Sequence, residues 1–74
     1  MDEAERMALE REVQIHLARV EELLMALREL EEAAEKSDPP SKEIVSDMRA
    51  LRIELRGRMA AISMGESRLG VDPF

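Results

Sequence analysis

The stretch EKSDPPSKEIV, residues 35–45, decides the fold of this chain. It joins two segments with helical apolar spacing and carries two consecutive prolines. A proline inside a helix removes a backbone donor and clashes with the preceding turn. The residue before a proline is also pushed out of the α region. Asp38 precedes Pro39 and Pro39 precedes Pro40, so a first helix should stop by about Lys36. Asp38 is a good N-cap for a second helix with Pro39 at its first position, and Ser41 is the alternative cap. A linker this short favours antiparallel neighbours over one bent rod.

Upstream, residues 1–36 contain neither glycine nor proline. Asp2 followed by Glu5 resembles a capping box. Leu9, Val13, His16, Val20, Leu23, Leu27, Leu30 and Ala34 then recur at steps of four and three, and Leu17 and Leu24 widen the stripe. That is one face of an amphipathic helix. Downstream, Ile44, Met48, Leu51, Leu55, Met59 and Ile62 form a second stripe.

The two stripes match each other. Facing residues of an antiparallel hairpin have numbers with a constant sum. Ala34 with Ile44, Leu30 with Met48, Leu27 with Leu51, Leu23 with Leu55, His16 with Ile62 and Leu9 with Leu69 all give 78, and Val20 with Met59 gives 79. A continuous helix would not require this agreement. The expected fold is all-α: an antiparallel two-helix hairpin over residues 1–69, followed by a tail at 70–74. Its helices are expected at about 3–36 and 39–64, with 69 as the alternative end of the second on the Leu69–Leu9 match, and a turn at 37–40. Gly65 and Gly70 are the two candidate ends of the second helix.

Composition bounds the function. Seventy-four residues make one small domain, with 45% apolar residues but Phe74 as the single aromatic. Below ~70–80 residues a core rarely supplies more than ~3–5 kcal/mol without disulfides, metals or association. Cysteine is absent, so association is the expected support, as a homodimer forming a four-helix bundle or with another protein. Net charge is −6, and all of it falls on residues 1–36, which carry eleven acids and five bases; residues 37–74 carry six of each. Phosphate contacts dominate nucleic-acid affinity, so such a chain is a poor candidate for nucleic acid and for anionic membranes. The acidic N-terminus does not resemble a signal peptide. No apolar run approaches the ~18–20 residues of a membrane span. A cytoplasmic protein is the expectation.

The second helix has another apolar line. Ala50, Ile53, Gly57, Ala60 and Met64 lie roughly opposite the Ile44–Ile62 stripe. Folding onto the first helix covers one face and leaves this one, so these five residues are the candidate partner interface. Met7, Ile15, Ala18 and Met25 form a weaker counterpart on the first helix. Arg49, Arg52 and Arg56 share a flank of the second helix. They read either as a docking edge or as partners of first-helix acids such as Glu21, Glu22, Glu29 and Glu32.

Chemistry is sparse. His16 is the lone histidine and sits on the apolar stripe; position 13 is Val, so the Glu-x-x-His spacing of di-metal bundles is missing. The serines have no histidine placed to activate them, and the glycines are too few for a phosphate-binding loop. No catalytic residue, metal, cofactor or small-molecule substrate is expected. At the C-terminus, Asp72, Pro73 and Phe74 form a candidate tail motif. They resemble the short Asp-Pro-Phe peptide captured by clathrin-adaptor appendage domains. The other reading is a tail folded onto the first helix.

The expected role is a non-enzymatic protein–protein interaction module, an adaptor, assembly subunit or small chaperone, acting by helix–helix packing. In size and helix–turn–helix plan the chain is similar to the small subunits that hold needle proteins of type III secretion systems. That resemblance implies a co-chaperone-like subunit. A small dimeric nucleic-acid-binding regulator is the remaining alternative, and it requires an exposed Arg49/Arg52/Arg56 edge.

Overall fold

The structure, a computed structural model, describes residues 1–70. Two helices account for nearly all of them: α1, Glu3–Lys36, and α2, Lys42–Leu69. Each begins where a side chain satisfies a backbone donor that the first turn cannot. Asp2 accepts from the Glu5 N–H at 2.7 Å. The Ser41 hydroxyl accepts from the Ile44 N–H at 3.2 Å.

The second helix therefore starts at Lys42 and not at 39. Pro40 disfavours α geometry at the residue before it, which removes Pro39 as a first helical position and leaves Ser41 as the cap. At the other end Gly65 lies within α2, and the helix closes at Gly70, whose φ of 78° is left-handed and whose N–H reaches the Glu66 and Ser67 carbonyls. Glycine takes that conformation without a Cβ penalty.

The helices run antiparallel: Arg19 meets Glu54, His16 meets Arg58, and Val13 meets Gly65. The last pair sums to 78. Among the described residues Val13, Leu23 and Leu27 are the buried apolar side chains, and Leu23 is 0% exposed. Leu9, Val20 and Leu30 on α1 and Ile44, Met48, Leu51, Leu55, Ile62 and Leu69 on α2 are half-buried around them.

Two assignments change. Met59 is 56% exposed and borders Val20 from the rim of a groove. A strict sum of 78 puts Arg58 opposite Val20 and Gly65 opposite Val13, so the seam of α2 runs Leu51, Leu55, Arg58, Ile62, Gly65, Leu69. The sum of 79 places Met59 one residue off the seam, at its edge. Leu17 and Leu24 are likewise exposed and form a separate line beside the seam.

The result is a thin rod, 54 × 21 × 16 Å, with a radius of gyration of 16.2 Å. A compact chain of this length would measure about 11 Å. A rod of two helices has no interior beyond its seam. By the same register Leu69 stands level with Leu9, so Glu3–Ala8 project past the end of α2.

Candidate functional site

Ala50, Ile53, Gly57, Ala60 and Met64 all lie on the outer surface of α2. Ile53 is 64% and Met64 67% exposed. A Cβ added at Gly57 would meet nothing within 4 Å. At its end Met64 borders a groove shared with Leu9, Val13 and His16 of α1. Between Ile53 and Met64 it offers only small residues, so its apolar area is modest. The Asp72-Pro73-Phe74 motif lies outside the described residues.

A different apolar line is larger. Leu17 and Leu24, seven residues apart, hold equivalent places on one side of α1. Val45 and Met59, fourteen apart, do so on α2. Leu17 and Met59 line the same groove, whose floor is the half-buried pair Val20 and Ile62. Leu17, Leu24, Val45 and Met59 are all exposed. This flank runs along the seam, is built from both helices and is continuous with the core. Sequence reading missed it because a hydrophobic residue beside a stripe is easily counted as part of the stripe. The spacing of seven was the available signal.

The opposite flank is closed by charge. Arg19 donates to both carboxylate oxygens of Glu54, from Nε at 2.7 Å and from Nη2 at 3.1 Å. Its Nη1 donates to Glu22 at 3.2 Å. Arg58 adds an ion pair to Glu54 at 3.5 Å and donates from Nη1 to His16 Nδ1 at 3.0 Å. Arginine has no acceptor, so His16 Nδ1 is the accepting atom in this contact. Hydrogen bonding from Arg19 holds the Glu54 carboxyl below the usual carboxylate range. The same contact holds the Arg19 guanidinium above its ordinary value. A bidentate pair of this kind fixes geometry as well as adding attraction.

Among the described residues the interhelical ion pair is thus Arg19–Glu54, while Arg58 pairs with Glu54 within α2 and crosses to α1 through His16. Arg49, Arg52 and Arg56 make none among the described residues, and neither do Glu21, Glu29, Glu31 or Glu32. The pairing weighed for that arginine edge is absent. The reason is register: the edge lies beside Val45 and Met59, on the flank away from Glu54. All three arginines are exposed.

Among the described residues no three His, Asp or Glu side chains converge as metal ligands would. No helix among the described residues is long and apolar enough to cross a membrane. Comparison with protein-family models, with curated proteins and with solved structures gave no match.

Proposed function

We propose that this chain is a protein–protein interaction module that acts by helix–helix packing, completing a bundle of four helices with partner helices. The observation that supports it is the ratio of covered to uncovered apolar side chains. Among the described residues three hydrophobic side chains are buried, whereas ten large ones are exposed, among them Leu17, Leu24, Val45, Ile53, Met59 and Met64. Large apolar patches on an ordered surface mark interaction sites, and a seam this narrow is a weak support for a free-standing domain. The adaptor, assembly-subunit and small-chaperone roles share this physics. A secretion-type co-chaperone is the form in which the partner is a different chain.

Sedimentation equilibrium and circular dichroism across protein concentration, with urea unfolding on the same samples, test the module. Either of two results is expected: an unfolding midpoint that rises with concentration, or low helicity in the isolated chain. A fully helical monomer refutes the reading if its midpoint does not move with concentration and does not move when Leu24, Ile53 and Met59 are all changed to Gln.

A further inference from the structure

We propose that the covering partner is a second copy of this chain, seated on the Leu17/Leu24/Val45/Met59 flank, with α1 of each hairpin lying along α2 of the other. This rests on the interaction-module reading and names its partner and surface. Three observations carry it. The opposite flank is bridged at mid-length by the Arg19–Glu54 pair, and beyond it the seam opens only to a short groove beside Val13 and Gly65. The open side exposes four large apolar residues, two from each helix, beside a groove that leads directly to the seam. Charge then selects the copy and its orientation.

Beside the apolar line, the edge of α2 carries Arg49, Arg52 and Arg56, and the edge of α1 carries Glu21 and Glu31. None of these five has an ion-pair partner among the described residues. Two hairpins can meet on this flank about a two-fold axis parallel to the helices or across them. An axis across them lays acidic edge on acidic edge and arginine on arginine. A parallel axis lays α1 beside the partner's α2 at the same heights. By the register of 78, Glu21 is level with position 57, one residue from Arg56, and Glu31 is level with position 47, two from Arg49. At ~1.5 Å per residue these offsets lie within side-chain reach. Arg28 is the base on the acidic edge, and Glu31 and Glu32 lie one turn from it. This arrangement also keeps the two α1 helices, each net −6 over residues 1–36, on the diagonal.

The test is a charge swap between full-length chains, followed by sedimentation equilibrium at low salt with circular dichroism confirming helix content. Wild type is expected to dimerise. Glu21→Arg alone and Arg56→Glu alone are each expected to weaken the dimer by about tenfold or more, because each puts two like-charge pairs into it. Mixing the two variants restores association, because the mixed dimer regains both opposite-charge pairs. Leu24→Gln weakens association as well, while Ile53→Gln leaves it unchanged. Wild type that stays a helical monomer at every concentration overturns the proposal. Wild type with little helix and no self-association also overturns it, and leaves a module that needs a foreign partner. A dimer lost through Ile53→Gln but not Leu24→Gln moves the interface to the outer face of α2 and overturns the flank assignment. Helix gained only on adding a nucleic-acid duplex, and lost with Arg56→Glu, assigns the arginine edge to phosphates and overturns it too.

Discussion

Two glycines in the same helix have opposite physical meanings. A Cβ at Gly65 would stand 2.5 Å from Val13 Cγ2. Val is stiff at χ1 in a helix and cannot swing aside. Gly65→Ala gains up to ~1 kcal/mol in helix propensity but overpacks a close contact, which costs ~1–3 kcal/mol. The net expected outcome is a lower urea midpoint, partly recovered when Val13→Ala is added. Gly57→Ala meets no neighbour. It should raise the midpoint by about 1 kcal/mol of stability and leave self-association unchanged, whereas an interface on the outer face of α2 would lose affinity. Leu23 is the most deeply covered side chain. Leu23→Ala should cost ~2–5 kcal/mol, enough to abolish cooperative unfolding of a hairpin this small, as read by circular dichroism.

At the scale of the element, caps and cross-helix charge decide stability. Ser41 caps α2 and Asp38 does not. Ser41→Ala should therefore cost ~1 kcal/mol, and Asp38→Ala close to nothing; thermal melts of the two variants separate them. The Arg19–Glu54 pair predicts a pH dependence. The folded state lowers the Glu54 pKa, so its contribution is fully present above the ordinary carboxylate range. It is lost as pH falls through the lowered value, when the unfolded chain binds the proton more readily. Glu54→Gln should melt below wild type at neutral pH. The gap should narrow on acidification at fixed protein concentration; a constant gap would detach the pair from the acid limb.

For the molecule as a whole, the narrow seam sets where opening is costly. Backbone amides near Leu23 and Leu55, which stand level in the register, should exchange slowest with deuterium. Those of Glu3–Ala8, which α2 does not reach, should exchange fastest. Much of this plan was legible in the sequence. Two prolines in succession can only interrupt a helix, because the ring fixes φ, deletes a donor and constrains its predecessor. The spacing of Leu23, Leu27, Leu51 and Leu55 carried the register. The three-residue misplacement of the α2 start came from weighing Asp38 as a cap without applying the constraint of Pro40 to Pro39. Apolar spacing does not mark Arg58 as a seam residue beside Met59; its long stem bridges the seam edge while its guanidinium reaches Glu54 and His16.

The sequence alone determined two helices, their turn and the sum that pairs them, since backbone sterics and apolar periodicity act over a few residues and are written locally. Tertiary structure decided which flank is closed and which stays open. That choice depends on one arginine finding Glu54 across the gap, at positions whose numbers do not fit the register. Long polar side chains reach diagonally, and only the packed arrangement of both helices shows where their ends meet.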